Sequence, residues 1–191
     1  KVTTSIYNTG IGRNAGKEIT TGANNTFVGA LSGDATTTAD GNTGVGQSAL
    51  TANTTGAENT AVGQNALAAN TTGLANVSVG QGALEANTTA NSNTSIGHDS
   101  MKNNTTGAEN TAVGKGALNA NTTADRNTAV GRSALVLNTT GAQNVAVGYG
   151  AASSNTTGTE LVAIGDSALE ANTTGISNVG VGEDALKANQ A

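Results

Sequence analysis

An internal repeat of 17 residues constrains the fold of this chain more than any other feature. The segment Asn59–Gly63, Asn-Thr-Ala-Val-Gly, returns unchanged at 110–114 and 127–131. Its final glycine recurs in eleven copies without insertion or deletion, and the residue before that glycine is always Val or Ile. An unbroken period places every copy equivalently in a stack, because an insertion would have to leave the stack as a loop.

Four columns of the repeat are candidates for structural roles. The turn glycines include Gly63, Gly80, Gly97, Gly114, Gly131, Gly148 and Gly165. The aliphatic column before them includes Val62, Val79, Ile96, Val113, Val130, Val147 and Ile164. A column of larger apolar residues, each preceded by a small one, includes Leu67, Leu84, Leu118 and Leu135. An asparagine column comprises Asn53, Asn70, Asn87, Asn104, Asn121, Asn138, Asn155 and Asn172.

The unit is too short for a helical hairpin, which needs about 30 residues or more. An Asn-Thr-Thr-Gly segment would also interrupt a helix, so each unit is predicted to form one coil of a parallel β-solenoid. Within Thr60–Val62, alternation puts the first and third residues on one face. Because Val replaces Thr in four copies, we predict that this face points into a narrow core, with the Ala-Leu pair closing it from the other side.

The whole chain, residues 1–191, is predicted to be one repeat array of about eleven coils. At ~4.8 Å per coil the rod would be about 53 Å long. Asparagines in such a stack are expected to bond amide to amide, as they do in cross-β stacks. In the first two copies Gly16 and Gly33 replace Leu, while Ile19 and Thr36 replace Asn, so these copies are expected to be atypical. A second set of asparagines begins each unit, as Asn59 and Asn110 do. Leu161 replaces this asparagine in a later copy and should interrupt that column.

Composition excludes several classes of function. The chain has no Cys, Pro or Trp, only 2% aromatic residues and a net charge of -5, with eight Lys plus Arg scattered singly. Disulfides and thiolate metal sites are excluded, and nucleic-acid binding is not expected. Nothing resembles a membrane span or a signal segment, and the chain begins without Met, so we expect part of a longer fibre.

The segment Thr60–Leu67 resembles the head repeats of YadA-like trimeric autotransporter adhesins, which carry a small residue, an aliphatic and Gly, then two residues and Ala. The Asn-Thr-Thr-Gly segment between units is similar to repeat arrays of phage tail fibres and bacterial surface fibre proteins. The resemblance covers residues 6 to 189. It implies a left-handed β-roll assembled as a homotrimer, extracellular on a virion fibre or bacterial surface. The implied function is a structural or adhesive segment that supports cell attachment, with a host glycan or protein as a further partner.

No enzyme, cofactor, metal site or membrane insertion is predicted. His98, Asp99 and Ser100 spell a triad, but neighbours on an extended chain point to opposite faces. Acidic pairs such as Glu58 with Glu109 and Glu85 with Glu170 follow repeat columns rather than a catalytic geometry. The Asn-Thr-Thr sequons follow the coil period and are interpreted as structural turns. Receptor contacts are expected at variable outward positions, among them His98, Lys102, Arg126, Arg132 and Tyr149.

A monomeric ice- or surface-binding solenoid is the alternative interpretation. Threonine pairs such as Thr54–Thr55 and Thr71–Thr72 form two columns of hydroxyls and methyls. Ice-binding solenoids carry Thr residues two apart on one flat strand face, whereas these threonines are adjacent. Only one of the two columns is therefore expected on an exposed face.

Overall fold

Each copy of the repeat forms one strand of a single parallel sheet. The computed structural model describes residues 6–190, in which there are eleven three-residue strands and no helix. These are β1 (Thr9–Ile11), β2 (Thr26–Val28), β3 (Thr43–Val45), β4 (Thr60–Val62), β5 (Val77–Val79), β6 (Thr94–Ile96), β7 (Thr111–Val113), β8 (Thr128–Val130), β9 (Val145–Val147), β10 (Val162–Ile164) and β11 (Val179–Val181). The prediction of an all-β parallel solenoid is confirmed.

The sheet follows the order of the chain, from β1 to β11. Every pairing is parallel and shifted by one repeat, as in Ala112 opposite Ala129 between β7 and β8. Positions in the repeat are numbered here from Asn59, position 1, to Ala75, position 17. The strand occupies positions 2 to 4, and each of its residues faces its own counterpart in the next coil.

Hydrogen bonds between coils continue beyond the strands. The amide of Leu67 donates to the carbonyl of Ala83 at 3.1 Å, and that of Thr71 donates to Thr88 at 2.9 Å. Both bonds join a residue to the coil that follows. Backbone hydrogen bonds therefore join each coil to the next both within the strands and outside them. They pair backbone N–H and C=O groups that burial would otherwise leave without partners.

Corners in the left-handed backbone region turn the chain three times per coil. They lie at positions 7, 9 and 17, for example Asn65 with a φ of 58°, Leu67 with 51° and Ala75 with 55°. Position 5 has a different conformation that only glycine adopts readily, as in Gly63 with a φ of 134°. The prediction of turn glycines at this column is confirmed.

The core is thin and is made largely of alanine and leucine. Ala61 at position 3, Ala66 at position 8 and Leu67 at position 9 are all fully buried. The larger apolar column is buried as predicted over the central coils, at Leu50, Leu67, Leu84, Met101, Leu118, Leu135 and Leu169. In most of the central coils a small residue, Ala, Ser or Gly, occupies position 3 and a larger apolar one occupies position 9, so that the thin interior holds one large side chain per coil.

The prediction that the aliphatic column before the glycine points into this core is wrong. Val62 is 36% exposed and Ile96 40% exposed, while Ala61 between Thr60 and Val62 is fully buried. The whole column lies on the outer face of the sheet; its members there are Val62, Val79, Ile96, Val113, Val130, Val147 and Ile164. Alternation correctly puts positions 2 and 4 on one face, but the narrow interior accepts the small residue at position 3 opposite leucine.

Two buried columns of asparagine are bonded amide to amide, as predicted. In the column at position 12, Nδ2 of Asn70 donates to Oδ1 of Asn53 at 2.9 Å and to the carbonyl of Gly73 at 3.1 Å. In the column at position 1, Oδ1 of Asn42 accepts from both the amide and the Nδ2 of Asn59. The amides thereby pair with neighbours in the stack instead of water.

Leu161 interrupts the position 1 column, as expected. Its backbone amide still donates to Oδ1 of Asn144 at 2.9 Å, but its side chain carries no polar group to continue the column. Asn178, in the next coil, donates instead to Oδ1 of Asn172 at 3.3 Å. The coil itself is preserved because Leu161 is fully buried and the backbone bond remains.

The first two copies continue the same solenoid with a rearranged core. Phe27 occupies position 3, where later coils have Ala, Ser or Gly, and it is fully buried. A Cβ on Gly33 would overlap the Phe27 ring, and one on Gly16 would come within 3.1 Å of the same ring. The missing leucines at these two glycines are therefore replaced by one aromatic ring.

Candidate interaction surfaces

The outer face of the sheet is an unbroken strip without charge. This surface, called the strand face, consists of positions 2 and 4 of β1 to β11, which carry only Thr, Val and Ile. Position 4 is exposed or half-buried throughout, and at the ends exposure rises to 61% for Ile11 and 64% for Val181. An apolar surface that extends along a whole molecule is typical of a site of association.

A second line of side chains runs beside the strand face at position 6. It contains Arg13, Ala30, Gln47, Gln64, Gln81, His98, Lys115, Arg132, Tyr149, Asp166 and Glu183. The structure thus brings together three of the proposed receptor-contact residues, His98, Arg132 and Tyr149. Arg126 lies at position 17, which precedes the strand, whereas position 6 follows it. Lys102 lies at position 10. Lys115 was not among the predicted receptor contacts, although it lies one period after His98 in the same column.

Of the three residues that spell a triad, two meet and one does not. Nδ1 of His98 lies 3.1 Å from a carboxylate oxygen of Asp99. The expectation that neighbours would point apart was wrong for this pair, because Asp99 has a φ of 54° and belongs to a corner, not to an extended strand. Ser100 is buried and its hydroxyl donates to the carbonyl of Ala112 at 3.2 Å, so it is not presented to a substrate.

The acidic residues of shared columns do not come together as pairs. Glu85 and Glu170 lie five coils apart, and each contacts a lysine of the following coil, Lys102 at 3.5 Å and Lys187 at 3.3 Å. Lys102 also contacts Asp99 at 3.2 Å. The hydrogen bond and charge of Asp99, with the charge of Glu85, raise the pKa of Lys102 above its ordinary value. The lysine–glutamate pairs therefore join neighbouring coils, the Lys102–Asp99 pair lies within one coil, and all of them are at the partly solvated surface.

The two threonine columns differ in exposure. At position 13 the hydroxyl of Thr54 donates to the carbonyl of Thr71 at 3.0 Å, and the side chain is half-buried. At position 14, Thr55 and Thr72 are exposed. Only one column is therefore fully presented to solvent, as expected. The asparagines of the sequons, such as Asn53, are fully buried, which agrees with their interpretation as structural residues.

Within residues 6–190 the structure contains no cluster of three or more His, Cys, Asp or Glu side chains suited to a metal ion. That part of the chain also holds no helix that could cross a bilayer.

No family model, curated protein or solved structure matches the chain. The strand face and the line at position 6 are thus the two surfaces whose chemistry suggests a partner.

Proposed function

We propose that this chain is a structural and adhesive segment of a trimeric attachment fibre on a virion or bacterial surface. Three copies run parallel, each wound as a left-handed β-roll, with their strand faces turned towards a common axis. The resemblance to YadA-like head repeats supports the trimer and the handedness. The segment supports or performs attachment to a cell surface, with variable outward positions available for a receptor.

The observation that carries this proposal is the unbroken, uncharged strand face, whose position 4 is Val or Ile in every strand. Val and Ile side chains on eleven consecutive strands are presented to solvent in a single rod. Covering them removes apolar surface from water, at about 25 cal/mol per Å². A second copy of the same chain is the partner with a matching length and repeat, because identical periods keep every coil in the same contact. Closed rotational symmetry would cover the strip of each copy.

The rod shape supports a role in extending or presenting a surface. Ten spacings of ~4.8 Å between the eleven strands amount to about 48 Å. From the third coil onward the buried positions 8, 9 and 12 are nearly constant, whereas positions 6, 10 and 17, which are exposed or half-buried, vary from coil to coil. Attachment chemistry would therefore reside at the variable positions, and the constant ones would maintain the framework.

A monomeric ice- or surface-binding solenoid is the second candidate. The same strand face favours it, because Thr or Val at position 2 and Val or Ile at position 4 are two residues apart on one flat face. Regular methyl and hydroxyl groups without charge would suit a crystalline surface. The two candidates differ in what covers the strand face, and so in the mass of the protein in solution.

Light scattering coupled to size exclusion measures that mass directly. We expect three times the single-chain mass of 18.4 kDa. A single-chain mass with β-rich circular dichroism would contradict the trimer and favour the monomeric solenoid. Inhibition of ice growth by the single chain would then identify the second candidate.

A charge on the strand face provides the matched test. Val113→Asp places a carboxylate in the proposed interface, and we expect a single-chain mass or loss of the fold, with a melting temperature several degrees lower. Glu109→Ala, an exposed change nearby in the chain, should leave mass and melting nearly unchanged. Equal effects of the two changes on mass and melting would refute the interface.

A further inference from the structure

Four consecutive coils place His98, Lys115, Arg132 and Tyr149 in one line along the rod. This set is called the basic column, and all four side chains are exposed. Its backbone is fixed from coil to coil; for example, the amide of Ser133 donates to the carbonyl of Lys115 at 3.0 Å. Neighbouring side chains of the column therefore start about 4.8 Å apart. A ligand that binds along this line would not have to order the backbone first.

Among residues 6–190, no carboxylate contacts either of the two permanent cations of the basic column. Lys115 and Arg132 make no ion pair within residues 6–190, and neither do Arg13 and Arg126, whereas Lys17, Lys102 and Lys187 each contact one or two carboxylates. Among these four unpaired cations, only Lys115 and Arg132 lie on adjacent coils in one column. Two like charges on adjacent coils repel each other. Native sequences tolerate such uncompensated local conflicts mainly at functional sites. An external anion would relieve this one.

Tyr149 gives the column a second kind of contact. The guanidinium carbon of Arg132 lies 5.7 Å from the centre of the Tyr149 ring, which is 54% exposed. This cation–π contact orients the guanidinium while leaving its N–H groups available for a carboxylate or sulfate. The exposed ring offers an apolar face and a hydroxyl, a combination suited to a sugar.

The neighbouring positions leave the centre of the column open. At position 7 the residues beside Lys115, Arg132 and Tyr149 are Gly116, Ser133 and Gly150, none of which carries a charge or a long side chain.

Acidic residues bound the column at both ends and limit the size of its ligand. Asp99 is occupied by His98 and Lys102, and Asp166 follows Tyr149 in the next coil. A net charge of -5 over the whole chain would repel a long polyanion. The space between these acids therefore fits one or two acidic groups, not an extended phosphate backbone.

We propose that Lys115, Arg132 and Tyr149 form a binding site for an acidic glycan, with the two cations on its carboxylate or sulfate and the ring against the sugar. This inference deepens the proposed attachment function and rests on it. Identical copies in a trimer would repeat the site, so that several weak sites could act together on one surface.

Tyrosine fluorescence supplies a local readout of binding. The chain has two tyrosines and no tryptophan, so Tyr7→Phe leaves Tyr149 as the single emitter. This protein is titrated with a heparin disaccharide, which carries sulfate and carboxylate, and with a dimer of galacturonic acid, which carries carboxylate alone. Maltose is the neutral control, and a short single-stranded oligonucleotide tests for charge attraction alone. We expect at least one acidic sugar to change the emission, with little response to either control.

Arginine substitutions at two places separate a site from overall charge. Arg132→Gln should weaken binding of the acidic sugar by about tenfold or more, because a charge-assisted hydrogen bond pair is lost. Arg13→Gln removes the same charge from the first coil, seven coils before Arg132 and outside the basic column, and should change the affinity by less than about twofold. Equal losses in both variants, equal binding of the oligonucleotide, or no response to either acidic sugar would overturn the site.

The mass of each titrated sample distinguishes this inference from the proposed function. A three-chain mass without sugar binding would overturn the glycan site and leave the trimeric fibre in place. Binding that requires Arg132 in a single-chain protein would support the site and contradict the trimer.

Discussion

At the scale of single residues, two glycines in one coil show different reasons for lacking a side chain. Gly114 has a φ of 135°, and a Cβ there would come within 2.6 Å of the Gly131 carbonyl in the next coil. Gly116 has a φ of 66°, and a Cβ there would meet no atom within 4 Å. The first position is excluded by conformation and contact, whereas the second, like its counterparts Asn65 and Asp99, accepts other residues.

Alanine substitutions at these glycines should have very different costs. Gly114→Ala is expected to lower the free energy of unfolding by at least about 3 kcal/mol, because the coils would have to separate. Gly116→Ala should cost about 1 kcal/mol, the ordinary penalty for a left-handed residue with a Cβ. Urea denaturation followed by circular dichroism measures both. Similar losses would show that coil contact does not determine the glycine column.

Phe27 and Gly33 form a second pair at the residue scale, because the Phe27 ring occupies the space that a side chain at position 33 would need. Gly33→Leu restores the consensus residue but collides with the Phe27 ring, so we expect a loss of more than about 2 kcal/mol. Adding Phe27→Ala, which also restores the consensus, should recover most of that loss, with a coupling of about 1–3 kcal/mol. Thermal melting of the two single variants and the double variant tests this. Additive effects would contradict the exchange of leucine for phenylalanine in the core.

At the scale of the repeated element, the position 12 asparagines connect the coils through their side chains. Nδ2 of Asn104 donates to Oδ1 of Asn87 at 3.0 Å, and its own Oδ1 accepts from Asn121 at 2.7 Å. The column begins at Asn53, because the preceding coil has Thr36, whose buried hydroxyl makes no hydrogen bond. Each interior member therefore supports two neighbours, while Thr36 supports none through its side chain.

Breaking and extending this column should have opposite effects on stability. Asn104→Ala leaves buried amide groups of two neighbours with fewer partners, and a loss of about 2–4 kcal/mol is expected. Thr36→Asn gives Asn53 an acceptor in the preceding coil and should raise the free energy of unfolding by about 1 kcal/mol. Denaturant melts of both variants provide the comparison. A destabilising Thr36→Asn would indicate that the first coils cannot accommodate the amide.

At the scale of the whole molecule, each coil contacts its two neighbours in sequence and no other strand. Each strand from β2 to β10 pairs with the strand before it and the strand after it, and both partners are parallel. Stability in such a stack is approximately a sum over coils and their interfaces. The array should therefore tolerate a change in coil number provided that the period is kept.

Deletion of one full period is the corresponding test. Removing residues 52–68 joins position 10 to position 11 and keeps every column, so the protein should retain its circular dichroism and melt cooperatively. Small-angle scattering should show a rod shorter by about 4.8 Å. Removing residues 52–60 instead shifts all later columns and should abolish cooperative melting. If both deletions behaved alike, the columns would not be holding the stack in register.

The sequence alone was sufficient to determine the stack, its period and the columns of Gly, Asn and Leu. An uninterrupted period leaves only an in-register array, and φ preferences and amide pairing follow from residue type. It did not determine which side of the strand is inside, because alternation is symmetric and Val62 is more apolar than Ala61. Only the tertiary structure decided this, since the width left opposite Leu67 admits alanine and excludes valine. The period also places Lys115, Arg132 and Tyr149 in one column, since successive members are 17 residues apart; only the tertiary structure shows that the guanidinium of Arg132 lies over the Tyr149 ring.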